Sequence, residues 1–102
     1  MPANLTQQEF LRHLNTKFRV QLEDGPQIDL ELVEVKGYLT KAGEQTGMER
    51  FSAFFKGPTE PSLAQGTYSL QHDHMGAFDV FLVPIARDEQ AVRYEAVYNY
   101  FK

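Results

Sequence analysis

The chain has 102 residues, 42% hydrophobic, 13% aromatic and 24% charged, which is one domain's length and an ordinary globular composition. Its 10 Lys and Arg stand against 14 Asp and Glu, a formal charge of −4. That balance argues against a nucleic-acid partner, because neutralising phosphates needs clustered positive charge. There is no Cys, which excludes disulfides, thiolate metal sites and cysteine nucleophiles.

The opening MPANLTQQEF lacks the basic flank and apolar run of a secretory signal, and no apolar stretch approaches the about 18 residues of a membrane-spanning helix. A cytoplasmic protein with no membrane partner is the expectation. Thr6 and Glu9 have the spacing of a capping box, with Leu5 and Phe10 placed as a hydrophobic staple. Phe10, Leu11 and Leu14 then recur at helical spacing, and Asn15 tolerates the left-handed conformation that ends a helix. A short helix over residues 7–14 is predicted. It is too short to persist unless it docks on something apolar.

From Lys17 the period becomes two. Phe18, Val20 and Leu22 alternate with polar residues, predicting a strand over 17–23, and Asp24-Gly25-Pro26 marks a turn. A second strand over 27–37 carries Ile28, Leu30 and Leu32 on one face. Its phase then slips, with Val33 and Val35 apolar, as a β-bulge at 32–33 would produce. Phe51, Ala53 and Phe55 define a third strand over 49–56, with Phe54 alone on its second face. Gly57-Pro58 ends it, and the connection to Gly66 is the longest irregular one.

Tyr68, Leu70 and His72 alternate in a fourth strand over 67–72, and Asp73-His74-Met75-Gly76 reads as a hairpin turn capped by Asp73. The fifth strand, 77–85, is apolar on both faces, Phe78, Val80 and Leu82 opposite Phe81, Val83 and Ile85, as expected of a strand covered on both sides. Pro84 should mark its edge or end, since proline has no N–H for a ladder. Val92, Tyr94, Ala96, Tyr98 and Tyr100 alternate in a sixth strand over 92–101. The predicted fold is α+β and mostly β: one domain over 1–102, a short N-terminal helix and six antiparallel strands in a small, partly closed barrel. An open twisted sheet wrapped on the helix is the alternative.

His72-Asp73-His74 is the one local cluster of metal-capable side chains, two imidazoles at i and i+2 falling on one strand face. A site would need further ligands such as His13 or Asp79. The competing reading is a polar hairpin with water-facing imidazoles, and no metal or other cofactor is expected. No nucleophile elbow accompanies the histidines, and no glycine pattern cradles a phosphate. The carboxylates Glu23, Asp24, Asp29, Glu31 and Glu34 fall mainly on a solvated strand face. Most aromatics are needed for the core of so small a domain. Tyr98 and Tyr100 on one face of the last strand and Phe101 on the other leave one aromatic face to emerge. Phe54, Tyr98, Tyr100 and Phe101 are therefore the candidate partner surface.

The runs Phe51-Ser52-Ala53-Phe54-Phe55-Lys56-Gly57-Pro58 and Leu63-Ala64-Gln65-Gly66-Thr67-Tyr68 resemble a bacterial family known only as a domain of unknown function. Met75-Gly76-Ala77-Phe78, Phe81-Leu82-Val83-Pro84 and Tyr94-Glu95-Ala96-Val97-Tyr98-Asn99 extend the likeness across residues 10–100. The resemblance carries over no catalytic or ligand residue. It implies an accessory role beside phage-tail-like fibre proteins. The expected function is a non-enzymatic protein-interaction or assembly module, binding a protein partner or itself. Alternatives are a small-molecule-binding barrel, with Tyr68 or Tyr94 lining a pocket, and a metal-dependent enzyme using His72 and His74.

Overall fold

A computed structural model describes residues 7–22, 25, 27–38, 48–60 and 62–101, with the backbone alone at 38, 48, 49 and 99–101. The helix α1 (Gln7–Leu11) leads into β1 (Lys17–Gln21), β2 (Gln27–Tyr38), β3 (Met48–Gly57), β4 (Gly66–His72), β5 (Gly76–Arg87) and β6 (Val92–Phe101). The strands close into a six-stranded barrel in the order β1-β2-β3-β6-β5-β4, every neighbouring pair antiparallel. β1, β2 and β3 form a meander, and β4 returns over a long connection to lie beside β1, which is a Greek key. Closure leaves the sheet without a free edge strand, removing the usual template for edge-to-edge aggregation.

The alternation read from the sequence sets the barrel's inside. Phe18 and Val20, Leu30 and Leu32, Phe51 and Phe55, Phe78 and Val80, and Tyr94 and Ala96 all face inward and are buried. Aromatic rings fill the interior, as expected of a barrel too narrow to hold both side chains and a ligand. Phe10 of α1 enters from one end and meets Phe51, Phe78 and Tyr98 with ring centroids 5.6, 5.9 and 5.3 Å away. The short helix is thus a plug, held by burial of one aromatic side chain. Gly57 ends β3 where there is no room for a side chain, since a Cβ there would stand 2.5 Å from Leu30 Cδ2.

The helix ends earlier than its periodicity predicts, at Leu11, and residues 12–15 form a turn. Asn15 takes the left-handed conformation, φ 66°, and its N–H donates to the Leu32 carbonyl at 2.7 Å. The backbone of β2 thereby accepts what a longer helix would have used. The capping box around Thr6 lies outside the described residues. The bulge at 32–33 is present: the register of β2 on β3 shifts between Leu32 and Glu34. Pro84 does not end β5. It sits opposite Tyr94, the register shifts between Pro84 and Ala86, and the strand continues to Arg87, because a bulge removes the need for the missing N–H.

Candidate functional site

Two regions gather chemically distinctive side chains: a histidine cluster at the plugged end, and the outer face of β5 and β6. Folding brings His13, from the turn after α1, onto the β4–β5 hairpin. Its ring lies 4.6 Å from that of His72 and 5.8 Å from that of His74, the latter nearly parallel. Glu9 approaches His13 Nε2 at 3.4 Å, and Asp73 approaches Arg19 at 3.0 Å.

His72 faces the interior and is only 5% exposed. Its Nδ1 accepts the backbone N–H groups of His74 and Met75 at 3.0 and 3.1 Å, so this nitrogen carries no proton. The proton of the neutral ring therefore resides on Nε2, which donates to Thr16 Oγ1 at 2.9 Å. Thr16 Oγ1 in turn donates its O–H to the His13 carbonyl at 2.6 Å. Burial, and then the neighbouring His13 and His74, hold the His72 pKa below the ordinary 6.5.

The turn is thus capped by His72 rather than by Asp73, which is exposed and paired with Arg19. Of the two imidazoles expected to face water, only His74 does. With both nitrogens engaged, His72 has no lone pair to offer a metal ion. Among the described residues no three His, Asp or Glu side chains are grouped so as to hold one. His13, offered as a third ligand, is brought beside the pair as a packed ring, without forming such a group. Asp79 pairs with Ser69 further along the hairpin.

The candidate aromatic surface divides. Phe54 is on the outer face, half-buried, with the Arg93 guanidinium 5.0 Å over its ring. Tyr98 turns inward. It stacks on Phe51 at 5.2 Å and packs on the core, which corrects the expectation that it belongs to an exposed patch. Its hydroxyl is buried with no hydrogen-bond partner among the described residues, and desolvation pushes its pKa up. The side chains of Tyr100 and Phe101 lie outside the described residues. Of the two tyrosines offered as a pocket lining, Tyr94 is buried with its hydroxyl accepting the Leu63 N–H, and Tyr68 donates to the Ala64 carbonyl.

Besides Leu11 on α1, the large exposed apolar side chains among the described residues lie on β5 and β6. Phe81, Ile85 and Val97 remain 51, 45 and 53% exposed. Val83 faces Glu95 across the β5–β6 ladder, and Phe81 and Val97 each stand two residues beyond that pair on the same side of it. This second apolar face of β5, expected to be covered, is therefore open. The sequence signal was the double-faced apolar pattern of 77–85, which cannot distinguish a strand sandwiched in a core from one that meets a partner.

A closed Greek-key barrel with a filled interior and one open apolar face is the class this architecture defines. The chain belongs to the family described as domain of unknown function DUF6916, whose model matches residues 5–98. No curated protein and no solved structure matches it. None of the helices among the described residues is long and apolar enough to cross a membrane.

Proposed function

We propose that the chain is a small non-enzymatic interaction module that docks on a larger protein through the outer face of β5 and β6. The observation that carries this reading is the exposure of Phe81 and Ile85 on β5 and of Val97 on β6, two strands paired from Val83–Glu95 to Arg87–Val92. Aromatic side chains such as Phe81 are enriched at interfaces, and the aliphatic Ile85 and Val97 extend the apolar surface around it. Three side chains fall well short of the about 800 Å² per partner of a stable interface, so two copies meeting at this patch would bury too little. A larger protein that surrounds the anchors fits better. The filled interior disfavours a ligand-binding barrel, and the engaged nitrogens of His72 disfavour a metal-dependent enzyme. An accessory role in a bacterial fibre-like assembly, in the cytoplasm, belongs to the same proposal.

The test is site-specific photo-crosslinking in the native host, with the reactive group at position 81, at 97, or at the control position 29 on β2. One partner trapped from 81 and 97 but not from 29, and lost in Phe81→Ser/Val97→Ser at unchanged Tm, supports docking at this face. Equal trapping from 29, or crosslinks only between copies of this chain, overturns it.

A further inference from the structure

A second feature lies beside the docking face. The groove, of about 420 Å³, crosses the outer wall from the bulge of β2 to the end of β5, with Val33, Ala86 and Ala91 supplying its apolar lining. Three cations stand along it, Lys56 from β3, Arg93 from β6 and Arg87 from β5. Both bulges of the barrel border it, at Val33 and next to Ala86, and bulges re-aim side chains beside binding sites. On a chain of formal charge −4 this is a local reversal of sign.

Lys56 and Arg93 are register partners, directly opposite across the β3–β6 ladder. Like charges in that position repel, and the arrangement is unfavourable unless anions lie between or beside them. Glu34 supplies one such anion, reaching from β2 past β3 to pair with Arg93 on β6. Among the described residues no carboxylate comes within ion-pair distance of Lys56 or Arg87. Arg87 donates to the Thr59 carbonyl at 3.4 Å, which leaves most of its guanidinium donors unused. Asp88, the acidic residue of the lining, commits Oδ1 to its own turn, accepting the N–H groups of Gln90 and Ala91 at 2.7 and 2.8 Å, and feels Lys56 only through space, beyond ion-pair distance.

We infer that this groove binds an acidic peptide segment of the protein partner, with carboxylates on Lys56 and Arg87 and aliphatic carbons over Val33, Ala86 and Ala91. The Glu34–Arg93 pair shows the same recognition within the chain. The inference rests on the reading of the protein as an interaction module and names the chemistry of what it binds. Planar guanidinium pairs two-pronged with carboxylate, and the open groove admits an extended chain.

The experiment is titration of the ¹⁵N-labelled protein with an acetylated penta-glutamate peptide at low salt, and in parallel with inorganic phosphate. Saturable shifts confined to the amides of Lys56, Ala86, Arg87, Ala91 and Arg93 are expected, weakening as salt rises. Lys56→Gln/Arg87→Gln should weaken the peptide by about tenfold at unchanged spectral dispersion. If the double variant loses dispersion, Lys56→Gln alone is titrated, and a smaller weakening is expected. Shifts scattered over Arg12 and Lys17, binding unaltered in the variants, or tighter saturation by phosphate than by peptide would overturn the assignment. Crosslinking from positions 81 and 97 is read separately. A partner trapped there without peptide binding in the groove defeats this inference and leaves the interaction module standing.

Discussion

The Nε2–H of His72 donates to Thr16 Oγ1 at 2.9 Å, tying the end of β4 to the turn that follows α1, 56 residues earlier. The bond exists only for one tautomer of a neutral ring, because Nδ1 is occupied by two backbone donors of the β4–β5 turn. A second proton on Nδ1 would break both. His72 is surrounded by His13 from the α1 turn, Arg19 from β1, and Asp73 and His74 from its own hairpin. Burial and the two histidines outweigh Asp73, so the folded protein resists charging this ring.

Stability should therefore depend on pH in a defined sense. The folded pKa of His72 lies below the unfolded value of 6.5, so the unfolded chain binds protons first as pH falls. The contribution is complete above 6.5, is lost as pH drops from there towards the folded pKa, and levels off below it. Thermal melts between pH 8 and pH 5 should show Tm falling on the acid side, and His72→Gln should flatten the part due to this ring. A variant with the same slope as the parent would place the proton uptake elsewhere.

Tyr94, buried, and Tyr98, partly buried with a buried hydroxyl, predict opposite responses to one change. Tyr94 accepts the Leu63 N–H at 2.8 Å, and Tyr94→Phe leaves that buried amide without a partner, at a cost of about 1–3 kcal/mol. Tyr98 holds a buried hydroxyl with no partner among the described residues, so Tyr98→Phe should leave stability unchanged or raise it by up to about 1 kcal/mol. Tyr98→Ser instead removes a ring packed on Phe10 and Phe51 and should be strongly destabilising. Urea unfolding of the three variants separates these outcomes.

The strands were legible because a period of two survives in every one, and even the bulge at 32–33 shows as a change of phase. What was not legible depends on contacts between distant segments. Tyr98 shares the inward phase of Tyr94 and Ala96, but the place it fills is made by Phe10, which no strand periodicity reveals. His72 reads as a polar hairpin residue until Thr16 is brought beside it. The apolar pattern of β5 was correct, while the inference that both faces are covered was not. In a single closed sheet the outer face of a strand has no second layer to bury it.

The β4–β5 turn makes a sharper prediction about one glycine. Gly76 closes the turn with φ +79°, the left-handed region, and a Cβ there would meet nothing within 4 Å. Any cost of Gly76→Ala is therefore conformational rather than steric, about 1–2 kcal/mol. Gly76→Asn should cost less, since Asn tolerates that region through its short polar side chain. Equal losses for the two variants would mean that contact, not backbone conformation, selects glycine here.

Phe10 is the strongest test of the helix as a plug. It is fully buried, and its ring meets Phe18, Phe51, Phe78 and Tyr98, which come from four strands. Residues 7–11 make little more than one helical turn, too short to be stable alone, so the docking of α1 depends on this ring. Phe10→Ala should cost about 3–5 kcal/mol, a large share of the about 5–15 kcal/mol that holds a domain folded. Phe10→Leu keeps much of the volume and should cost markedly less. Denaturant unfolding measures both losses, and amide exchange shows where protection is lost. If α1 undocks while the barrel persists, exchange in Phe10→Ala should accelerate around Arg12, His13 and Asn15 but not at Leu30 or Phe55. Uniform loss of protection would mean instead that helix and barrel unfold as one unit, with Phe10 part of the core rather than a separable stopper.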